Sequence, residues 1–165
     1  KENTHSTTKL QINQPDGDPI IPYVIEPSAG LDRGVLAVLT DAYCKETLPD
    51  GKERLVLKLK PSLSPIKVAV IPLAKNNPQI VEIAKSLTSS LQKLGLGRIR
   101  YEDTGNIGKA YRRNDEIGTP VCITIDFDTL ESDDQSVTLR DRDTATQTRI
   151  PLDKVIDTIK ERILA

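Results

Sequence analysis

The chain of 165 residues contains 28% charged and 37% hydrophobic residues, and its formal net charge is −1 at pH 7. The length leaves room for one domain of ordinary size and part of another, and the near-zero charge excludes nucleic-acid binding through an overall basic field. No segment is long and apolar enough to span a membrane. Cys44 and Cys122 lack the spacing of metal ligands, so both are predicted to be buried thiols of a cytoplasmic protein.

The first part of the sequence is predicted to contain strands on either side of one long helix. A strand near Leu10 to Ile12 leads into a turn at Pro15 to Asp18, and the β-branched and aromatic residues Tyr23 to Ile25 indicate a second strand. Apolar residues at helical spacing then predict a helix that ends near Tyr43. The alternation over Arg54 to Lys60 predicts a half-buried strand with its leucines on one face.

The pattern changes at the proline-containing segment Pro61 to Pro65, which is the predicted boundary between a domain of residues 1–60 and one of residues 61–165. Strands and helices then alternate, which indicates an α/β domain with a largely parallel central sheet. A helix is predicted to begin after the N-cap Asn77, with Pro78 at its first position. The other predicted elements are strands at Val68 to Ile71, Arg98 to Glu102 and Val121 to Ile125, a loop and short helix in Thr104 to Gly118, a hairpin of Ser136 to Asp141 with Thr148 to Ile150, and a final helix from Leu152 to Ile163.

The segment PYVIEPSAGLDRG, Pro22 to Gly34, places an acid, a small polar residue and an arginine at a predicted strand-to-helix junction. Glu26 is suited to bind an ammonium group, Ser28 to make one hydrogen bond, and Arg33 near a helix N-terminus to pair with phosphate. Gly30 lets a ligand approach the backbone closely. The segment is therefore a candidate site for an amine and a phosphate, and the alternative is an ordinary glycine turn with a solvated arginine.

Five sequence blocks follow one another along the chain: EPSAGLDR at Glu26 to Arg33, KLKPSLSPIKVAVIPL at Lys58 to Leu73, DTGNIGKAYRRNDEIGTP at Asp103 to Pro120, ITIDFDTL at Ile123 to Leu130, and LRDRDT at Leu139 to Thr144. Together they resemble the C-terminal end of the bacterial-type glycyl-tRNA synthetases, a family of class II aminoacyl-tRNA synthetases. The resemblance implies ATP-dependent ligation of glycine to its tRNA. Class II motifs 1 and 2 are not among the blocks, so we expect a C-terminal fragment that is inactive alone.

The first block resembles motif 3 of this family, and the resemblance assigns roles to its residues. It implies that Glu26, Pro27, Ser28, Ala29 and Gly30 bind glycine and that Gly30, Leu31, Asp32 and Arg33 bind ATP. Arg33 is the expected catalytic residue, because its charge offsets that of the phosphates as pyrophosphate leaves. The full enzyme is expected to use ATP with Mg²⁺ and to be a homodimer without membrane attachment, and its partner is the tRNA for glycine. No tightly bound cofactor is expected in this chain.

Residues 61–165 resemble the anticodon-binding domain shared by the synthetases for glycine, histidine, threonine and proline. The implied fold is α/β, with a mixed five-stranded sheet flanked by helices, preceded by a remnant of the antiparallel catalytic domain. Ligands of open sheets bind at the carboxyl ends of strands, so the loops after Tyr101, Ile125 and Leu139 are candidates for RNA binding. Tyr101, Tyr111 and Phe127 are candidates for stacking on unpaired bases. The predicted anticodon-binding residues are Asn106, Lys109, Arg112, Arg113, Asp115, Arg140 and Arg142.

Alternatives to these assignments remain open. Arg112 and Arg113 are alternatively a solvated helix face, and Arg140 and Arg142 alternatively pair with Asp141 and Asp143. A different class of function on the same fold is a non-catalytic RNA- or DNA-binding module, such as a synthetase paralogue or a polymerase accessory subunit. No metal site is predicted, because the acids between Asp126 and Asp134 lack the order of a calcium loop and are typical of a solvated turn.

Overall fold

The structure, a computed structural model, describes residues 11–23, 25–47 and 51–164, in two compact units that divide between Gly34 and Val35. In the first unit, Ile12 and Ile20 form an antiparallel bridge with backbone N···O distances of 2.9 and 3.1 Å. The predicted turn at Pro15 to Asp18 lies between them and is confirmed. Leu10 lies outside the described residues.

The predicted strand at Tyr23 to Ile25 is wrong for the residues that the structure describes. Tyr23 and Ile25 have no strand conformation, and their side chains are fully or almost fully exposed. Val24 lies outside the described residues. A strand needs a hydrogen-bonded neighbour, and within the described ranges no strand pairs with this segment.

Helix α1 spans Leu31–Ala42, close to the prediction, and leads directly into a hairpin of β1 (Tyr43–Thr47) and β2 (Glu53–Leu57). The two strands are antiparallel, with Cys44 opposite Val56 and Glu46 opposite Arg54. The predicted buried face of β2 is wrong, because the structure buries Arg54 and Val56 and leaves Leu55 41% exposed. Arg54 is buried on this strand because it forms ion pairs with Glu46 and Asp115.

The second unit also contains the predicted mixed sheet of five strands, in the order β4-β3-β5-β6-β7. β3 (Val68–Pro72) is parallel to both β4 (Ile99–Tyr101) and β5 (Val121–Ile125). β6 (Val137–Asp141) and β7 (Gln147–Ile150) then follow as antiparallel neighbours. The five-stranded sheet and its hairpin of β6 and β7 are thus confirmed.

Helices cover both faces of the sheet. α2 (Pro78–Gln92) and α5 (Val155–Leu164) contribute Ile80 and Ile159 to the main core, with strand residues such as Ile123. α3 (Ile107–Glu116) packs Ala110 against a smaller cluster on the other face. Residues at odd positions of β5 therefore face α2 and α5, and those at even positions face α3, as the period of two in a strand requires.

Local capping explains where two helices begin. The side chain of Asn77 accepts hydrogen bonds from the backbone N–H groups of Gln79 and Ile80, which confirms the predicted N-cap of α2. The predicted acidic turn after β5 contains a short helix instead, α4 (Phe127–Glu131). Asp126 caps it in a reciprocal capping box with Thr129, and such a cap is enough to start a single helical turn.

The segment between the hairpin and β3 is packed against the domain. Leu59, Ser64 and Ile66 are buried, and the Nζ atom of Lys67 donates hydrogen bonds to the carbonyl oxygens of Pro61 and Ser62 at 2.7 and 2.9 Å. The compact unit that contains the α/β domain begins at Val35. The boundary at residue 61 stays a prediction.

Candidate nucleic-acid interface and the motif 3-like segment

The motif 3-like segment is an exposed loop followed by the first turn of α1. Every predicted glycine- or ATP-binding residue in it is exposed to solvent: Glu26, Pro27, Ser28, Ala29, Gly30, Leu31, Asp32 and Arg33. The helix starts where the N–H of Gly34 donates to the carbonyl oxygen of Gly30 at 3.0 Å. The structure thus brings Gly30 and Arg33 together at a helix N-terminus, as expected, and the roles of all eight residues stay predictions.

The sheet topology separates the three predicted RNA-binding loops. β4 and β5 run in the same direction, so the loops after Tyr101 and Ile125 lie at the same edge of the sheet. β6 runs in the opposite direction, with Asp141 opposite Val121 at the start of β5. The loop after Leu139 therefore lies at the other edge, because β6 is antiparallel to β5.

The start of α3 places Asn106 and Lys109 at the edge formed by the ends of β4 and β5, and Arg112 follows one turn later beside the β1–β2 hairpin. Asn106 is the N-cap of the helix and accepts a hydrogen bond from the backbone N–H of Lys109 at 2.9 Å. Asn106, Lys109 and Arg112 are all exposed. These side chains can meet a phosphate or a base without breaking a buried contact.

Arg113 is half-buried beside a carboxylate that the sequence analysis missed. Its Nη2 atom donates to Glu102 Oε1 and to the Thr104 carbonyl oxygen, both at 2.6 Å. Glu102 is only 7% exposed and also lies 3.6 Å from Arg100. The sequence did contain a signal for Glu102. Side chains alternate along β4, so Arg100 and Glu102 lie on the same face, while Tyr101 packs against the main core.

Asp115, Arg140 and Arg142 differ from the other predicted residues because they are buried, with exposures of 3%, 7% and 2%. Both Nη atoms of Arg140 donate to the carboxylate of Asp115, at 2.7 and 2.8 Å. Burial alone would lower the pKa of Arg140, but the hydrogen bonds and charge of Asp115 outweigh burial and raise it.

Arg142 donates to two buried carbonyl oxygens, those of Gly118 and Leu59, both at 2.8 Å. It also pairs with Asp143, as the alternative interpretation predicted, at 2.8 Å. The geometry favours a structural role for Asp115, Arg140 and Arg142. Their predicted contact with RNA stays a prediction, and it would require these contacts to open.

The three aromatic candidates have different environments. Tyr111 donates or accepts a hydrogen bond with Thr124 at 2.7 Å and lies under the guanidinium of Arg140, 4.8 Å from its ring centre. Burial raises the pKa of Tyr111. Tyr101 is half-buried in the main core, whereas Phe127 is 49% exposed at the carboxyl end of β5. Phe127 is therefore the candidate ring with a face available to a base.

The acidic residues after β5 serve the fold. Asp126 pairs with Arg149 at 2.8 Å and accepts from Thr138 at 3.1 Å. Among the described residues, no group of three or more His, Cys, Asp or Glu side chains could hold a metal ion. In the same part of the chain, no helix has both the length and the apolar character needed to cross a membrane.

Comparison with known proteins gives a consistent family. A protein-family model described as "Anticodon binding domain" matches residues 67–162. The chain is 55% identical to the glycine–tRNA ligase of Deinococcus radiodurans over 99% of its own length and 34% of that protein. It is 57% identical to the glycine–tRNA ligase of Thermus thermophilus and 48% identical to that of Bifidobacterium longum, covering 33% of each. The chain thus spans about a third of the length of these relatives.

Proposed function

Because this chain belongs to the family of the anticodon-binding domain, we propose that it is the C-terminal part of a glycine–tRNA ligase. The observation that carries the proposal is its identity of 55% and 57%, over nearly all its residues, to two glycine–tRNA ligases. The proposed enzyme activates glycine with ATP and Mg²⁺ and transfers it to the tRNA for glycine. Its proposed state is a cytoplasmic homodimer, with residues 1–60 in the catalytic domain and residues 61–165 as the tRNA-reading domain.

The proposed tRNA-binding surface is the sheet edge formed by the end of β4, the start of α3 and the end of β5. Lys109 and Arg112 supply exposed positive charge for phosphates, and Asn106 supplies an amide for a base edge. Phe127 supplies an exposed ring for stacking on a base in the anticodon loop. A local cluster of this kind is compatible with a chain whose net charge is −1.

Arg113 is the proposed specificity residue of this surface. Glu102 and Thr104 hold its guanidinium by hydrogen bonds, so the side chain has few orientations to lose when a base binds. Burial of Glu102 makes this orientation costly to abandon, because the carboxylate would be left unpaired. Because Glu102 and Thr104 take the hydrogens of Nη2, the Nη1 group is the part of the guanidinium that is proposed to donate to a base edge.

The motif 3-like segment is proposed to form one wall of the aminoacylation site in the full enzyme. Glu26 binds the ammonium group of glycine, with Ser28 as a hydrogen-bond partner, because an acid and a small polar residue match a small zwitterion. Arg33 binds the ATP phosphates from the first turn of α1. The exposure of all three side chains supports a role in binding, since none is used by the fold.

Binding of a glycine-tRNA anticodon stem-loop to the 165-residue chain tests the tRNA-reading role. The double variant K109A/R112A is expected to bind about tenfold more weakly. The slope of log affinity against log salt concentration should also be shallower, by an amount that corresponds to about one or two fewer released counterions. Lys160 on α5, whose side chain is half-exposed and pairs with Asp157, gives the control K160A, which should bind like the wild type. Equal affinity for an unrelated stem-loop would contradict anticodon reading.

The variant R113A tests the specificity role separately. It is expected to weaken binding of the glycine stem-loop while leaving the weaker, sequence-independent binding nearly unchanged, because Arg113 is proposed to contact a base. A uniform loss on all stem-loops would show that Arg113 contacts phosphate instead. The chain alone is also expected to show no glycine-dependent ATP–pyrophosphate exchange, and clear exchange would contradict the proposed division of the enzyme.

A further inference from the structure

The β1–β2 hairpin lies outside residues 67–162, which the family model matches, yet it belongs to the same compact unit as the α/β domain. A two-stranded hairpin is marginally stable by itself in water. Its most buried residues are Arg54 and Val56, both on β2. The buried arginine therefore raises the question of what holds the hairpin in place.

Arg54 uses its whole guanidinium group to join the hairpin to the α/β domain. Its Nε atom donates to Glu46 on β1 at 2.8 Å. Its Nη1 atom donates to the Asp115 carboxylate at 3.2 Å and to the Arg142 carbonyl oxygen at 2.9 Å, and its Nη2 atom donates to the Asp143 carbonyl oxygen at 3.2 Å. One side chain thus connects β1, the last turn of α3 and the loop after β6.

Asp115 receives two cations in this junction. Arg140 donates to both oxygens of the carboxylate, and Arg54 donates to Oδ2, which it shares with Arg140. The side chains of Arg140 and Arg54 are 8% and 5% exposed. Glu46 balances the second charge, and it also pairs with Lys58. Separation of the hairpin from α3 would remove Arg54 from Asp115 and leave buried charges without their partners. Because unpaired buried charge costs free energy, the arrangement resists this separation.

We propose that Asp115 is a positioning residue that couples the β1–β2 hairpin to α3, so that the hairpin, although it lies within the proposed catalytic residues 1–60, also positions the RNA-binding helix. This inference rests on the proposed tRNA-reading function. α3 carries Lys109, Arg112 and Arg113 within the two turns before Asp115. The junction holds the C-terminal end of this helix, and a helix held at its end loses less conformational freedom when its other side chains bind RNA.

Replacing Arg54 with methionine, which preserves most of the side-chain volume, tests the coupling. R54M is expected to increase amide hydrogen exchange in β1, β2 and α3 by on the order of 100-fold, while amides of β3 and β5 keep their protection. The control is K45M, because Lys45 lies on the same hairpin in an exposed ion pair with Glu53. K45M should leave exchange in both segments unchanged.

Stem-loop affinity separates positioning from simple stability. At a temperature where circular dichroism shows full folding of each variant, R54M and D115N are expected to bind the glycine stem-loop on the order of tenfold more weakly than K45M. The variant Arg54→Lys separates the contribution of charge from that of the planar guanidinium. It keeps the charge without the planar fork and should bind the stem-loop with intermediate affinity. Arg54→Lys also replaces R54M if that variant does not fold.

The results distinguish failure of the coupling from failure of the proposed function. Unchanged exchange in α3 when the hairpin opens, or unchanged RNA affinity in R54M, would overturn the coupling. If the wild type itself binds no stem-loop, the tRNA-reading function is wrong, and the exchange measurements still decide whether Asp115 links the hairpin to α3.

Discussion

Arg142 offers the sharpest test of the structural assignments, because the sequence predicts an RNA contact and the structure shows a buried arginine. Its Nη atoms donate to the carbonyl oxygens of Leu59 and Gly118, both at 2.8 Å, and its side chain is 2% exposed. In R142M the methionine fills most of the volume but leaves these two buried acceptors without a donor. Each unsatisfied acceptor costs about 1–3 kcal/mol.

The expected loss for R142M is therefore about 2–5 kcal/mol, since methionine recovers part of the cost as apolar burial. For a unit of this size, a loss of about 3 kcal/mol corresponds to a melting temperature about 10 °C lower. The matched control is R112M, because Arg112 is exposed on α3. An exposed substitution of this kind is expected to change stability by less than about 0.5 kcal/mol.

Thermal and urea unfolding of the two variants, followed by circular dichroism, measures the difference. The affinity for the stem-loop should change in the opposite way. At a temperature where both variants are folded, R112M should bind more weakly than the wild type and R142M about as tightly. A melting temperature for R142M equal to that of the wild type would refute the structural role. Loss of RNA affinity in a fully folded R142M whose amide exchange in α3 is unchanged would support the predicted RNA contact.

Three further predictions concern single groups. Gly118 has a φ of +79°, and an added Cβ would lie 2.8 Å from Leu59 Cδ1, so G118A should lower the free energy of unfolding in urea by about 1–3 kcal/mol. Burial raises the pKa of Cys122 to about 12, so its thiol should resist alkylation at pH 8. The stability that this buried thiol contributes should be fully present below the unfolded thiol pKa of 9.0 and be lost as the pH rises from there through the folded value of about 12. Burial alone would raise the pKa of Asp126, but hydrogen bonds led by Arg149 outweigh it and lower the pKa. The stability contributed by Asp126 is therefore present above its unfolded pKa and is lost as the pH falls through the folded value, a loss that acid titration of D126N should not show.

Local sequence signals predicted most of the regular structure. Asn77 followed by Pro78 marks the start of α2 because the cap and the fixed proline φ are properties of adjacent residues. Continuous apolar runs identified β3 and β5, which are buried on both faces. Helix α4 was missed because its signal is a single capping box over a few residues.

Side-chain partners that are distant in sequence decided the rest. Arg54 and Asp115 are 61 residues apart, so no local pattern shows that the inward face of β2 carries an arginine. The direction of β6 also depends on pairing, and this direction moved the loop after Leu139 to the other edge of the sheet. Burial of Arg140 and Arg142, rather than their charge, separates them from Lys109 and Arg112.

The sequence by itself determined the family resemblance, the α/β class and the positions of most strands and helices of the five-stranded sheet domain, because these depend on residue identity and short-range periodicity. Tertiary structure alone decided which charged residues remain available to a ligand. Lys109 and Arg112 lie on an open helix face, whereas the ion pairs of Asp115 and Arg140 offset the cost of burying charge and hold the hairpin to the domain. That distinction depends on long-range packing, which a linear pattern does not contain.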